Sequence, residues 1–171
     1  TSLKKINDYV HPNTSTNTKL NTGNIKNDIK SIVSFINKSK RPLIFAGNGV
    51  RVSKTEDLFL KIVNNLKIPA VTGWNAHDLI PGKNKYNCGK PSTVGDRSGN
   101  FAISNCDLLL VFGSRLNIRQ ISYNWNKFAK NAKIIMIDID INEMNKSTIK
   151  VFKKFHYSLE YFFPLLEKAT K

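Results

Sequence analysis

The chain has 171 residues, 40% of them hydrophobic, and a formal net charge of +15, which predicts one globular domain with a substantial core. Its two cysteines, Cys88 and Cys106, are isolated in the sequence, and this excludes both a disulfide framework and a zinc site of recognisable spacing. No apolar run approaches the length of a membrane span and no secretory signal opens the chain, so we expect a cytoplasmic protein without a membrane partner.

The excess of positive charge is typical of proteins that bind nucleic acids, but it also arises where lysine, asparagine and isoleucine are overused throughout a chain. Here the lysines are spread along the sequence. The sequence contains no RNP-like motif, zinc finger or helix-turn-helix pattern. We therefore predict that the charge reflects composition and that nucleic acid is not a partner.

Residues 1–23 are polar and rich in threonine and asparagine, which predicts a linker or a mobile tail, so the ordered domain is expected over 24–171. Isoleucine and valine then recur at helical spacing and predict an amphipathic helix over Ile25–Lys38. Pro42 disfavours helical backbone at the residue before it and marks the end of that segment.

An apolar run predicts the first strand over 43–46, and a glycine-rich turn at 47–49 follows it. Ser53 is predicted to cap the next helix, with Glu56 completing a capping box. A second short strand is predicted over 68–72. The remaining predicted elements are, in chain order, an irregular segment (74–93), a helix (97–105), a strand (107–112), a helix (124–131), a strand (133–137), a helical turn (142–145), a short strand (150–152) and a helix (158–168).

Two of these strands, 107–112 and 133–137, are apolar at nearly every position. Such strands belong to parallel sheets that helices cover on both faces, and alternating strands and helices predict right-handed crossovers. The expected fold is therefore an α/β, three-layer, Rossmann-like domain. Ligands of such sheets bind beyond the carboxyl ends of the strands, so the residues that follow the strands form the candidate site.

Three segments after predicted strands or turns carry residue types that bind a nucleotide. The glycines at 47–49 let the backbone approach a phosphate, or simply form a tight turn. The glycine-bounded turn at 95–99 brings Arg97 towards a pyrophosphate or a flavin, or lies at the surface. Arg115, which follows Gly113, holds a phosphate or lies along a ring, with a salt bridge to a neighbouring loop as the alternative.

A fourth segment contains two aspartates. Asp138 and Asp140 follow the strand at 133–137, where a carboxylate can accept both hydroxyls of a ribose. Asp140 is alternatively the N-cap of the next helical turn. The sequence contains no GxSxG, Walker A or HExxH motif, so neither a catalytic nor a metal-binding residue is predicted.

The segments RPLIFAGNGV, CDLLLVFGSRLNIR and AKIIMIDIDINEM, in this order and spacing, resemble the central domain of thiamine diphosphate-dependent enzymes, in particular the acetolactate synthase-like group. The resemblance covers residues 25–163. It implies a DHS-like NAD/FAD-binding domain with a parallel sheet of about six strands. It also implies flanking domains on the same polypeptide: an N-terminal one that binds the aminopyrimidine of thiamine diphosphate, and a C-terminal one that binds its diphosphate and Mg²⁺.

Enzymes of this family decarboxylate a 2-oxo acid or join its acyl fragment to an acceptor, and the resemblance implies a full-length homodimer or homotetramer. The diphosphate-binding GDG…N motif is absent from this sequence. The chain is therefore expected to be the middle domain of such a transferase or lyase and to be inactive by itself. The middle domain binds FAD in acetolactate synthase and pyruvate oxidase, ADP in oxalyl-CoA decarboxylase, and no nucleotide in several decarboxylases.

Three motifs depart from the acetolactate synthase pattern: Asn48 interrupts GGG, GDRSG replaces GMHG, and RLNIR replaces RFDDR. The alternative is an autonomous nucleotide- or flavin-binding domain of related fold, such as an electron-transfer flavoprotein domain or a sirtuin-like deacylase. A sirtuin needs a four-cysteine zinc module, which two isolated cysteines cannot form. The nucleotide-binding residues that the resemblance implies are Gly47, Asn48, Gly49, Gly95, Arg97, Ser98, Gly99, Gly113, Ser114, Arg115, Asp138, Ile139 and Asp140.

Overall fold

The computed structural model describes residues 24–171, and the predicted linker at 1–23 lies outside the described residues. The helices are α1 (Ile25–Lys38), α2 (Gly49–Val52), α3 (Glu56–Leu66), α4 (Arg97–Asn105), α5 (Ile118–Ile121), α6 (Ile141–Asn145) and α7 (Leu159–Ala169). The strands are β1 (Pro42–Ala46), β2 (Ala70–Thr72), β3 (Leu108–Phe112), β4 (Lys133–Asp138) and β5 (Lys153–His156). Single 3-10 turns occur at Trp74–Ala76 and Trp125–Lys127.

The strands form one parallel sheet in the order β2-β1-β3-β4-β5. Ala46 at the end of β1 lies opposite Phe112 at the end of β3, which in turn lies opposite Ile137 of β4, so these strands end along one edge. The strand order reverses between β1 and β3, because β2 lies on one side of β1 while β3, β4 and β5 follow on the other. The α/β, Rossmann-like architecture is confirmed, with five strands in residues 24–171 rather than the six expected.

Helices cover both faces of the sheet, as the continuous apolar strands predicted. On one face, Phe112 of β3 meets Phe163 of α7 with ring centroids 5.2 Å apart, and α1 and α3 complete the layer. On the other face, Phe45, Leu109 and Met136 pack in a cluster with residues of α4, α5 and α6. The core therefore lies in two layers, which hold the sheet rigid and leave its strand ends accessible.

The helix predicted to be capped by Ser53 begins later in the chain. Its first residue is Glu56 and its N-cap is Thr55, whose side chain makes no capping hydrogen bond. The Ser53 hydroxyl donates instead to the Val50 carbonyl, at 2.9 Å, because the glycine turn continues directly into the single-turn helix α2, which the sequence analysis did not predict. The predicted capping box of Ser53 and Glu56 is therefore wrong.

The helix predicted over 124–131 is also wrong, because this segment forms only the 3-10 turn Trp125–Lys127. Phe128 has extended backbone and ends the turn. Ala129 then adopts a left-handed conformation, with a φ of 44°, which a helix cannot accommodate. Of the apolar residues that suggested a helical face, Ala129 is buried and Phe128 packs against the same core cluster, whereas Trp125 is 38% exposed.

The last strand lies three residues later than predicted. The sequence favoured a strand over 150–152, whereas β5 spans Lys153–His156. It pairs with β4 in a register that places Phe155 opposite Ile137. Phe155 is buried in the core, while Phe152 is 48% exposed. Two phenylalanines three residues apart offered two possible strand centres, and burial against the sheet selects the second.

Neither cysteine contributes to a cross-link or to a metal site in the described residues. Cys88 and Cys106 are both free thiols, and burial raises the pKa of the Cys106 thiol to about 11. Within residues 24–171, no three His, Cys, Asp or Glu side chains are grouped so that they could hold a metal ion. In the same part of the chain, none of the helices is both long and apolar enough to cross a membrane.

Candidate functional site

A cleft of about 520 Å³ lies where β1, β2, β3 and β4 end, and this volume is typical of small-molecule sites. It lies beside the reversal of strand order, the place where α/β sheets bind ligands. Its walls come from the loops that follow β1, β2 and β3 and from the last residue of β4. The lining residues are Asn48, Gly49, Val52, Gly73, Trp74, Asn75, Gly113, Ser114, Arg115, Asn117, Arg119, Gln120 and Asp138.

The floor of the cleft is a close contact between the loops after β1 and β3. The Gly49 amide donates to the Gly113 carbonyl at 2.9 Å, and a Cβ on Gly49 would come within 2.6 Å of the Gly113 Cα. Gly113 also has a left-handed φ of 55°, which favours glycine. Gly47 lies beneath this contact and donates to the Phe112 carbonyl. The Gly113 amide donates to the Ile137 carbonyl at 3.1 Å. These glycines are therefore required by backbone packing, and all three of their amides are already used.

Other amides at the cleft have no acceptor in the described part of the chain. The backbone N–H groups of Asn48, Ser114 and Arg115 donate to no protein group within residues 24–171. All three residues line the cleft. Backbone N–H groups that converge on a concavity are the usual ligands of phosphate oxygens. The residues that carry these unbonded donors therefore lie beside the packed glycines in the lining of the cleft.

Gln120 fixes the loop between β3 and α5. Its Oε1 accepts hydrogen bonds from the Ser114 hydroxyl at 3.2 Å and from the Asn117 amide at 3.0 Å. The Asn117 side chain accepts in return from the Arg119 and Gln120 amides, which completes a capping box for α5. This network holds the polar wall of the cleft in place. Neither α5 nor a role for Asn117 and Gln120 in the site was predicted from the sequence.

Arg115 lies at the rim of the cleft. Its Nη1 is 3.7 Å from Glu143 Oε1, and 71% of its side chain is exposed. Lys146 also reaches this loop and donates to the Arg115 carbonyl. A salt bridge was the alternative predicted for Arg115, and one is present, but its partner lies on helix α6 rather than on a loop. An ion pair this exposed contributes little to stability, so the guanidinium can exchange Glu143 for an anionic ligand at small cost.

The two aspartates after β4 have different roles. Asp140 is the N-cap of α6 and accepts from the Asn142 amide at 2.9 Å, the alternative raised above. Asp138 lines the cleft and is 7% exposed. Burial raises the pKa of Asp138, and the nearby Asp140 and Glu143 carboxylates act in the same direction, while hydrogen bonds from the Asp140 and Ile139 amides oppose it. Asp138 is therefore the carboxylate available to a ligand.

The second predicted turn lies apart from the cleft. Gly95 and Gly99 lie against the backbone at 90–92, where an added Cβ would clash with Lys90 or Pro91. Arg97 lies over the Phe101 ring, 5.4 Å from its centroid, and the Ser98 hydroxyl donates to the Cys88 carbonyl. Contact of Gly95, Arg97, Ser98 and Gly99 with a nucleotide therefore stays a prediction.

The cleft gathers about half of the residues that the sequence analysis placed in the site. Those in its lining are Asn48, Gly49, Gly113, Ser114, Arg115 and Asp138. Gly47, Ile139 and Asp140 lie next to lining residues but do not line it themselves. Trp74 and Asn75 were missed, although they follow a predicted strand just as the other site residues do. Ligands of parallel sheets bind beyond the carboxyl ends of the strands, and this argument was applied to β1, β3 and β4 but not to β2. Applied to β2, it would have predicted both residues.

Known proteins resemble the chain over most of its length. The sequence profile of the family described as "Thiamine pyrophosphate enzyme, central domain" matches residues 29–160. The chain is 34% identical over 119 residues to a probable acetolactate synthase large subunit of Methanocaldococcus jannaschii, covering 70% of this chain and 20% of that protein. It is 31% identical over 118 residues to the acetolactate synthase large subunit of Lactococcus lactis, covering 69% of this chain and 20% of that protein.

A third relative matches a similar share of the chain. The acetolactate synthase large subunit of Pyropia yezoensis is 32% identical over 114 residues, which cover 67% of this chain and 19% of that protein. The chain therefore spans about a fifth of the length of these curated relatives. The matched family is the one that the three sequence motifs resemble, and it is neither of the two alternatives, the flavoprotein and the sirtuin.

Proposed function

Since the chain belongs to the family of thiamine pyrophosphate enzyme central domains, we propose that it is the nucleotide-binding middle domain of an acetolactate synthase-like enzyme. The ligand group that we propose for the cleft is adenosine diphosphate, either as ADP or as part of FAD. The observation that carries this proposal is that Asn48, Ser114 and Arg115, whose amides donate to no group within residues 24–171, line the same cleft as the buried Asp138.

Different residues of the cleft would contact different parts of the ligand. The free amides and the Arg115 guanidinium would hold the diphosphate, because charge-assisted hydrogen bonds to phosphate oxygens are strong. Asp138 at the end of β4 would accept hydrogen bonds from the ribose hydroxyls, as carboxylates do in dinucleotide folds. Gly47, Gly49 and Gly113 would shape the floor on which the diphosphate lies. Ile139 and Asp140 would act through the loop that they form after Asp138.

The chemistry of the full-length enzyme would lie in its other domains. We infer that flanking pyrimidine- and diphosphate-binding domains hold thiamine diphosphate and Mg²⁺, and that the whole protein is a cytoplasmic homodimer or homotetramer that decarboxylates or ligates 2-oxo acids. The 171-residue chain by itself should then form no acetolactate from pyruvate when both cofactors are supplied. Turnover by this chain would contradict its assignment as a non-catalytic domain.

Ligand-induced stabilisation tests the nucleotide proposal directly. ADP at about 100 times its dissociation constant should stabilise the purified chain by about 2.7 kcal/mol. Stabilisation by ADP alone would identify ADP as the ligand, whereas tighter binding of FAD, with a yellow protein, would identify the flavin. A chain that neither ADP nor FAD stabilises would contradict nucleotide binding.

Two arginines provide a matched pair for locating the ligand. Arg115 lines the cleft, whereas Arg97 lies over Phe101 outside it. Calorimetry should find that R115Q weakens ADP binding by roughly 10-fold, because a charged hydrogen-bonding partner is lost. R97Q should change the affinity by no more than about two-fold. The opposite ranking would place the nucleotide at the turn over 95–99 instead.

A further inference from the structure

A second concavity lies at the opposite edge of the sheet from the cleft, where β1, β2 and β3 begin. This amino-edge groove has a volume of about 300 Å³. The five residues of β1 separate it from the cleft, a distance of about 13 Å, so the two are separate sites. The residues that line the groove are Lys40, Arg41, Pro42, Leu43, Pro69, Ala102, Asn105 and Cys106.

The wall of the amino-edge groove is mainly apolar. Leu43 and Cys106 are 2% and 3% exposed and belong to the core beneath it, and Ala102 of α4 lies beside them in the lining. The Cys106 thiol donates to the Ile103 carbonyl, and burial raises its pKa to about 11. A thiol that stays protonated is not a nucleophile, so a ligand in this groove would be held without a covalent bond.

The loop that carries Lys40 and Arg41 is fixed by one carboxylate. Asp107 accepts hydrogen bonds from the Ser39 hydroxyl, from the Lys40 amide at 2.8 Å and from the Arg41 amide at 2.9 Å. Burial raises the pKa of the Asp107 carboxyl, but these hydrogen bonds outweigh it and hold the pKa below its ordinary value. Arg41 Nε also donates to the Asn105 carbonyl, at 2.6 Å. The groove is therefore a preformed feature of the fold.

The two cations of the groove form no ion pair in the described part of the chain. Within residues 24–171, neither the Lys40 ammonium nor the Arg41 guanidinium lies within 4.0 Å of a carboxylate oxygen. Asp107 balances only one of their two charges. Small-molecule sites are typically apolar walls with a few charged groups that orient the ligand, and cations without a partner complement a carboxylate.

We propose that the amino-edge groove binds a small monocarboxylate with an apolar body. The body would lie against Leu43 and Ala102, and the carboxylate would bond to Lys40 and Arg41. A volume of about 300 Å³ is at the lower limit for small-molecule sites, which suits a body of about six carbon atoms. The proposal does not depend on nucleotide binding, because the cleft lies at the other edge of the sheet.

Amide NMR of the isotope-labelled 171-residue chain, titrated with hexanoate, tests the proposal. A ligand of this size should bind with a dissociation constant of about 1 mM, and it should shift the amide signals of Arg41, Leu43 and Cys106 to saturation. Hexylammonium has the same apolar chain and the opposite charge. It should bind at least about five-fold more weakly, because it loses the attraction of the two cations.

Three variants locate the ligand. K40E should weaken hexanoate binding roughly 10-fold, because repulsion replaces attraction. K38E makes the same change at the end of α1, outside the lining, and should alter the affinity by no more than about two-fold. A102L fills the groove and leaves its charge intact, and it should weaken binding at least about 10-fold. A dispersed amide spectrum of each variant establishes that it is folded.

Several outcomes would overturn the inference and leave the nucleotide proposal standing. No saturable shift at about 10 mM hexanoate, or shifts confined to Asn48 and Ser114 of the cleft, would exclude the groove as the carboxylate site. Equal binding of hexanoate and hexylammonium, or equal effects of K40E and K38E, would exclude recognition by the cations. Shifts of the groove amides that depend on protein concentration without any ligand would show that a second copy of the chain occupies the groove instead.

Discussion

Gly49 and Gly113 let the loops after β1 and β3 touch at the backbone, and a side chain at either position has no room. A Cβ on Gly113 would lie 2.8 Å from the Gly49 Cα, at a φ of 55°. G113A should lower the free energy of unfolding by about 2–5 kcal/mol, because overpacking and left-handed strain add. A Cβ on Gly82 would meet no atom within 4 Å, so G82A should change stability by less than about 1 kcal/mol. Urea denaturation of both variants measures the difference, and equal stabilities would contradict the close contact.

Asp138 predicts a pH dependence with a definite sign. Burial raises its pKa in the folded chain above the ordinary value of 3.8, so the folded state holds this proton more tightly than the unfolded state does. Its contribution to stability is therefore present below pH 3.8 and is lost as the pH rises through the folded-state pKa. D138N does not titrate, and its amide oxygen can still accept from the Asp140 amide.

The stability difference between the unmodified chain and D138N isolates this group from the other carboxylates. The unfolding free energy of the unmodified chain, minus that of D138N, should decrease as the pH is raised from 4 to 7. Urea titrations at both pH values measure it. A difference that stays constant or rises would mean that Asp138 is ionised in the fold at least as readily as in the unfolded chain.

Among the elements, α7 shows how adjacent aromatic residues divide between core and surface. Phe163 is fully buried and lies between Phe59 of α3 and Phe112 of β3, with ring centroids 6.2 and 5.2 Å away. F163A should lower the free energy of unfolding by about 3–5 kcal/mol. Tyr161 on the same helix is 61% exposed, and Y161A should cost less than about 0.5 kcal/mol. Thermal or chemical unfolding that ranks Y161A as the more damaging change would contradict the orientation of α7.

Elements with a strong period and a clear boundary could be predicted from the sequence. The predicted bounds of α1 and α4 agree with the structure, because each has one apolar face and Pro42 follows the end of α1 by four residues. The predicted strand centres at β1, β3 and β4 are confirmed, because short runs that are apolar throughout are typical of the buried strands of a parallel sheet. The helix predicted over 124–131 was wrong because Ala129 adopts a left-handed conformation, which an alanine in the sequence does not indicate.

The site was predictable wherever a residue directly follows a strong strand. Gly113, Ser114, Arg115 and Asp138 were found in this way and do line the cleft. Gln120 was not, because it reaches the cleft through the capping box of a four-residue helix whose apolar pattern is too short to detect. The turn over 95–99 has the right residue types, yet its glycines serve packing against 90–92. The residue types of a turn therefore do not show whether its glycines contact a ligand or a neighbouring stretch of backbone.

On the scale of the whole molecule, the charge of +15 raises the question of a polyanionic partner. The described surface does contain one place where lysines and aromatic rings alternate. Phe35 and Phe152 meet edge to face at 5.6 Å, Lys133 lies 5.3 Å from the Phe152 ring centroid, and Lys153 lies 5.1 Å from that of Phe35. Single-stranded nucleic acids bind surfaces of this composition. A merely compositional excess of lysine, as the sequence analysis predicts, would give this surface no special affinity.

Fluorescence anisotropy with a labelled single-stranded DNA distinguishes these cases. At physiological salt the chain should bind only in the non-specific range, with a dissociation constant of about 10⁻⁴ to 10⁻⁶ M, and the affinity should fall steeply as salt is added. K133Q/K153Q should weaken binding by the same factor as K61Q/K83Q, because each pair removes two positive charges and diffuse attraction depends on charge alone. A loss about 10-fold larger for K133Q/K153Q would mean that the Phe35 and Phe152 rings take part, and the prediction that nucleic acid is not a partner would then be wrong.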